Sequence, residues 1–139
     1  MATLLQILNA DRNLSLMART IKASGLEDKL NGPGPFTLLA PVNLAFGKLN
    51  ATGSYDQAMK PERLIADLDA LINLHILTTK KMHRDFRNGE KLRTLGGQDI
   101  SVVVRDGQVS VNGALILARN MQGSNGVVHQ VDKINIPGS

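Results

Sequence analysis

Three histidines, His75, His83 and His129, are the residues of this 139-residue chain best suited to moving protons or holding a metal ion. Imidazole changes charge near neutral pH, and its free nitrogen is a common metal ligand. Their spacing supports neither use. Zinc takes three or four ligands, usually at short fixed intervals, and neither the pair His75 and His83 nor the distant His129 falls in such a motif. The chain has no cysteine, which removes thiolate nucleophiles, zinc–thiolate sites and disulfides together. It also has no G-x-S-x-G elbow, no Walker loop and no G-x-G-x-x-G fingerprint. The expectation is a protein without catalysis, cofactor or resident metal, in which each imidazole is a neutral group satisfied by a polar neighbour. His129 shares strand parity with Val127 and Val131 and should point inward with them. Gly123-Ser124-Asn125-Gly126 precedes a strand and is read as a tight turn, since an anion nest would open a helix.

The stronger signal is charge placement. Lys80, Lys81, Arg84, Arg87, Lys91 and Arg93 are opposed within their own stretch only by Asp85 and Glu90, which leaves four positive charges, the whole formal net charge of the chain. Such a segment attracts an acidic partner, whether protein, lipid headgroup, polysaccharide or nucleic acid, against the plainer reading of a solvated loop. Nucleic acid is least favoured: one tyrosine, three phenylalanines and no tryptophan give few stacking platforms. Phe86, the one aromatic residue in the segment, is kept with these cations as a candidate contact, although an anchor packing the loop onto the domain is the preferred role for a large apolar side chain.

These residues need a frame. At 42% hydrophobic content the chain suits one domain over residues 1–139, burying roughly 65 to 70% of its unfolded surface. Leu14, Met17, Ala18 and Ile21 recur at helical spacing, with Gly25 placed as a left-handed cap. Leu4, Ile7 and Leu8 mark a shorter helix before it, and Leu26 to Leu30 a turn ending at Asn31-Gly32. Phe36 to Ala40, between Pro35 and Pro41, reads as a buried strand. Asn43 should cap a helix running to Leu49. Pro61 marks the start of another, whose face of Leu64, Leu68, Leu71 and Ile72 leads into His75. After residue 88 the period becomes two, with strands expected at Lys91 to Leu95, Asp99 to Arg105, Gln108 to Asn112, Leu115 to Arg119 and Val127 to Ile136. Gly96-Gly97 and Asp106-Gly107 are the turns. Helices first and strands afterward imply an α+β fold, N-terminal helices packed with a largely antiparallel sheet.

Two runs carry a family resemblance. Gly34 to Phe46 (GPFTLLAPVNLAF) and Asn125 to Ile134 (NGVVHQVDKI) resemble the two signature boxes of the fasciclin (FAS1) domain, and Leu71 to Leu77 (LINLHIL) resembles its central histidine segment. Order and spacing match one complete module. The resemblance makes Phe36, Thr37, Pro41, Asn43, Phe46, His75, Asn125, Gly126, His129 and Asp132 structural box positions. Three departures stand out: Val42 replaces a usual threonine, leaving Asn43 alone to cap, Gln130 replaces an aliphatic residue, and Leu74 replaces the tyrosine that precedes the histidine in many members. In adhesive animal members the Tyr-His segment is associated with integrin binding, so Leu74 argues against that activity here.

What the resemblance implies is a non-enzymatic interaction module, docking through Lys80 to Arg93 on a protein with an acidic surface, monomeric when free. No run of about 18 apolar residues is present, and the first residues lack a cationic n-region and cleavage site. A cytoplasmic chain is therefore expected. Signal-less fasciclin-type proteins of cyanobacteria are accessory subunits of the membrane-bound NAD(P)H dehydrogenase complex for carbon dioxide uptake, which implies a peripheral place on a thylakoid complex, without membrane insertion. The alternative is a secreted or periplasmic adhesion domain that binds matrix, its signal peptide removed.

Overall fold

The computed structural model of the chain describes residues 2–46, 71–119 and 121–134. It opens with α1 (Leu4–Ala10), which starts in a capping box: the Gln6 amide donates to the Thr3 hydroxyl, and the Thr3 amide donates to the Gln6 side-chain carbonyl. A 3-10 turn (Arg12–Leu14) leads into α2 (Ser15–Ala23), which buries Met17, Thr20 and Ile21 on one face, and α3 (Glu27–Leu30) is one helical turn. Gly25 does not take the left-handed cap expected of it. Extended Ser24 ends α2 instead, its amide and hydroxyl both donating to the Ile21 carbonyl.

Among the described residues eight strands follow: β1 (Phe36–Pro41), β2 (Ile76–Leu77), β3 (Lys91–Arg93), β4 (Asp99–Arg105), β5 (Gln108–Val111), β6 (Ala114–Leu115), β7 (Met121–Gly123) and β8 (Gly126–Val131). They form two four-stranded sheets, ordered β2-β1-β8-β7 and β3-β4-β5-β6. Five of the six pairings are antiparallel, as the α+β reading requires, and the sixth, β1 with β8, is parallel. A parallel pair needs both faces covered, and every residue of β1 and β8 is buried. Phe36, Leu38, Ala40 and Val128 pack on the helices with Leu4, Leu8, Leu14 and Ile21. Leu39 and Val131 face the second sheet, against Ile100, Val102, Val109 and Val111.

The expected strands are present but shorter. β3 stops at Arg93, where a turn closes from Thr94 to Gln98. The strand expected at Leu115 to Arg119 is only β6, because the chain leaves the second sheet there and crosses to β8. Ile116 bridges Val131, the Leu117 amide donates to the Gln130 carbonyl, and the Gln130 amide donates to Ala118. β8 ends at Val131 because Asp132 turns back to Leu115, accepting its amide on Oδ1 at 2.8 Å. Asp106-Gly107 makes the β4–β5 hairpin, both residues at positive φ. Asn112-Gly113 does the same for β5–β6, a turn signal the strand reading passed over. β7 had no sequence signal, being three residues without a β-branched side chain. Residues 71–73 are helical; Pro61, Leu64 and Leu68, expected in the same helix, and the helix expected beyond Phe46 to Leu49 lie outside the described residues.

Candidate partner-binding surface

The box residues form the frame from which the basic segment hangs. Asn125 is buried in the β7–β8 turn. Its Nδ2 donates to the carbonyls of Leu30 (2.7 Å) and Gly32 (2.9 Å), its Oδ1 accepts the Leu4 amide (3.1 Å), and its carbonyl accepts the Phe36 amide (3.0 Å). One residue thus ties α1, α3 and β1 together, the helices through its side chain and the strand through its carbonyl. Gly126 pairs with Phe36, whose carbonyl oxygen lies where a Cβ on Gly126 would have to go, so only glycine fits. Pro41 and Phe46 are buried on the way out of β1.

Asn43 corrects an expectation. It does not cap its own helical turn, whose Ala45 amide donates to the Val42 carbonyl. Its Oδ1 accepts the Leu16 amide (2.9 Å), and its Nδ2 donates to the Arg12 carbonyl and the Ser15 hydroxyl, both at 2.8 Å. The start of α2 lacks a side-chain cap of its own, and Asn43 supplies one from across the fold. Gln130 is accounted for in the same way: its Nε2 donates to Asp11 Oδ2 at 2.6 Å, pinning β8 to the turn before α2.

His75 and His129 are both buried, at 3% and 0% exposure. His75 Nδ1 donates to the Leu71 carbonyl (2.9 Å), and burial, opposed by that bond, pushes its pKa down to about 4. The spaces on its two sides are about 10 Å³ each, room for about one water molecule. His129 points inward with Val127 and Val131. Its Nε2 donates to the Lys81 carbonyl (2.7 Å), and its pKa is lowered by burial, against that bond, with the His83 charge adding to the fall. Among the described residues no group of three or more His, Asp or Glu side chains could hold a metal ion.

The basic segment leaves β2 and is held by what lies beneath it. The Thr37 hydroxyl donates to the Thr79 carbonyl and accepts the Lys81 amide (2.8 Å). Phe86 is 5% exposed, its ring centroid 5.7 Å from that of His129 in an edge-on contact. It is therefore an anchor and not part of the contact surface to which it was also assigned. Lys81 is likewise committed: its Nζ lies 3.0 and 3.1 Å from the two Glu90 oxygens, 3.1 Å from the Asp85 carbonyl and 5.6 Å from the Phe86 ring centre. Burial pushes the Glu90 pKa up, but the Arg87 amide, the Lys81 hydrogen bond and the charges of both residues outweigh it and leave the pKa lowered. The Gly89 amide and the Glu90 carbonyl both pair with Val102, continuing the β3–β4 ladder.

What remains on the outside is cationic. Arg84, Arg87, Lys91 and Arg93 are exposed, and exposed Lys80 donates to Gln122 Oε1 (2.9 Å). Arg93 is 3.4 Å from Asp99 in an open pair, a contact of little strength in water. The outward residues of β4 and β5, among them Ser101, Val103, Arg105 and Gln108, extend this surface. Arg105 was legible from strand alternation. Arg119, against His83, was not, because nothing local links positions 36 apart.

The match to known proteins follows this architecture. The fold superposes on a FAS1 domain pair from the insect cell adhesion molecule fasciclin I with a TM-score of 0.79 at 19% identity, covering 97% of this chain and 51% of that one. A family model for the fasciclin domain matches residues 12–137. The chain is 30% identical to Protein sll1483 of Synechocystis, over 97% of its length and 73% of that protein. It is 32% identical to transforming growth factor-beta-induced protein ig-h3 of Sus scrofa, over 96% of its length but only 19% of the animal protein. The chain belongs to the fasciclin family, whose domains serve generally as adhesion and protein-interaction modules. No helix among the described residues is long and apolar enough to cross a membrane.

Proposed function

We propose that this domain is a protein-interaction module whose contact surface is formed by Lys80, Arg84, Arg87, Lys91 and Arg93, and that its partner is a protein presenting an acidic face. One observation carries the reading. Thr37, Phe86, His129, Lys81 and Glu90 are all used to fix the segment's backbone, while the remaining cations point outward without a buried role. Clustered surface charge of this kind speeds association and selects partners. For the partner we favour a subunit of a membrane-bound NAD(P)H dehydrogenase complex for carbon dioxide uptake, on the family precedent and the kinship with a Synechocystis protein. The adhesion alternative draws on the likeness to a cell adhesion molecule. Neither reading assigns the domain an enzymatic role.

The test is charge reversal that spares Lys81. Arg84, Arg87 and Lys91 replaced together by glutamate should abolish retention of the partner from native lysate, while the melting temperature stays within a few degrees of the parent. Retention of the same subunits at low salt by the triple variant would overturn the surface. Recovery of dehydrogenase subunits by the parent supports the accessory reading, and recovery of envelope proteins alone supports adhesion.

A further inference from the structure

His83 belongs to the same basic segment. It opens the 3-10 turn His83–Asp85 and is partly exposed. Arg119, from the stretch between β6 and β7, lies against its ring, with Nη1 2.9 Å from Nδ1 and 3.3 Å from Nε2. A guanidinium only donates, and with Nη1 this near both ring nitrogens it lies against the ring, a contact that suits a neutral imidazole better than a charged one. Burial, and then the Arg119 charge, hold the His83 pKa below its ordinary value.

Among the described residues the surroundings contain no free anion. Among the described residues no carboxylate forms an ion pair with Arg119 or Arg84. On the turn itself, Asp85 accepts the Met82 amide at 3.0 Å. Glu90 is occupied by Lys81 and the Arg87 amide. From β8, His129 faces the same turn with its Nε2 committed to the Lys81 carbonyl. Lys80 rests on Gln122 of β7, and Arg84 is exposed. A guanidinium and an imidazole converge at the surface of the basic segment.

We propose that His83 and Arg119 form the anion-binding centre of the contact surface, receiving a carboxylate from an acidic segment of the partner protein and holding it more tightly as pH falls. The inference rests on the partner-binding reading and adds to it a residue outside the basic segment and a sign for the pH dependence. A carboxylate matches the planar fork of Arg119 in two parallel hydrogen bonds. Seated there, it favours a second donor, and His83 supplies one by taking a proton from water. The free protein lowers the proton affinity of His83 and the complex raises it. Between those two values one proton is taken up on binding, so affinity rises by up to about tenfold for each pH unit lowered. A protein segment fits better than a nucleic acid or a sugar ring, because among the described residues the exposed surface offers no aromatic platform and Phe86 is buried.

The experiment is fluorescence anisotropy of the whole domain with a labelled hexaglutamate peptide at low salt, from about pH 7.5 to about pH 5.5, where the glutamates stay ionised. The parent should bind more tightly toward the acid end. His83→Gln should retain binding with a flat pH profile, and Arg119→Gln should weaken binding several-fold, most at the acid end. NMR should show the His83 pKa rising on peptide addition. A pH slope that persists in His83→Gln, or unchanged affinity in Arg119→Gln, would overturn the proposal. Equal competition by inorganic phosphate, a sulfated polysaccharide or phosphatidylglycerol vesicles at matched charge would overturn the acidic segment as occupant. If binding is lost in the Arg84, Arg87 and Lys91 triple variant yet indifferent to His83 and Arg119, only this inference fails. If the peptide does not bind the parent at all, the partner-binding reading fails with it.

Discussion

The two sheets use their residues in opposite ways. In the first, β1 and β8 are buried from end to end, so each position has neighbours on both faces and few substitutions fit. In the second, β4 alternates, with Ile100 and Val102 buried and Asp99, Ser101, Val103 and Arg105 open to solvent. The family boxes fall on the first sheet and its turns. The candidate contact surface falls on the second sheet and the segment leading to it. Signature residues therefore mark the frame, and the surface that would choose a partner carries no signature. Gly126 and Arg84 should accordingly differ as far as two positions can: one sensitive to a single methyl group in stability, the other indifferent in stability and sensitive in binding.

The largest effect is expected at Gly126. Alanine there sets a Cβ against the Phe36 carbonyl, and the obstacle is backbone of a strand that cannot move without opening the central pair. Denaturant unfolding should show a loss of about 4 kcal/mol or more, the range reached when buried backbone must shift. A loss below about 1 kcal/mol would mean that β1 and β8 have slack, and the contrast between the sheets would weaken.

Next in size is the acid sensitivity of the frame. The folded state lowers the pKa of His75 from 6.5 to about 4, so the unfolded chain binds more protons between those values. Stability from this group is complete above about pH 6.5 and is lost as pH falls toward 4, by about 3 kcal/mol in all. His129 adds a loss of the same sign. Unfolding free energy measured between pH 7 and pH 4 should fall steadily, and the slope should shrink in His75→Asn. A flat profile in the parent would show that His75 is solvated in the native state.

How much of this was legible depends on the range of the interaction. Strand β1 follows from an apolar run between two prolines, and β4, β5 and the inward face of His129 from periodicity, all of them local signals. The parallel union of β1 with β8 joins residues some 90 positions apart, and period two announces a strand without naming its neighbour. Polar side chains were misplaced for the same reason. Asn43 has the composition of a helix cap and is one, but for α2 and not for the turn it begins. Lys81 sits in a charged run, yet the fold draws it inward, whereas buried Phe86 is the anchor its apolar side chain suggests; only the remaining cations match the sequence picture of a solvated patch.

The smallest effects test whether the basic segment divides into a structural and a contact class. Lys81 has 18% side-chain exposure and holds Glu90, at 24%, while Arg93 and its partner Asp99 stand at 75% and 44%. Lys81→Met leaves Glu90 mostly buried with its carboxylate short of a donor, at a cost of about 1 to 2 kcal/mol. Arg93→Met removes an open pair and should change stability by less than about 0.5 kcal/mol. Chemical denaturation separates the two if the variants are measured side by side. The destabilised Lys81→Met should also show faster amide exchange at Arg87, Gly89 and Val102, because Glu90 is the post on which that part of the ladder hangs. Equal stability of the two variants would mean that Lys81 belongs with the exposed cations, and the division within the segment would fail even if the surface as a whole binds its partner.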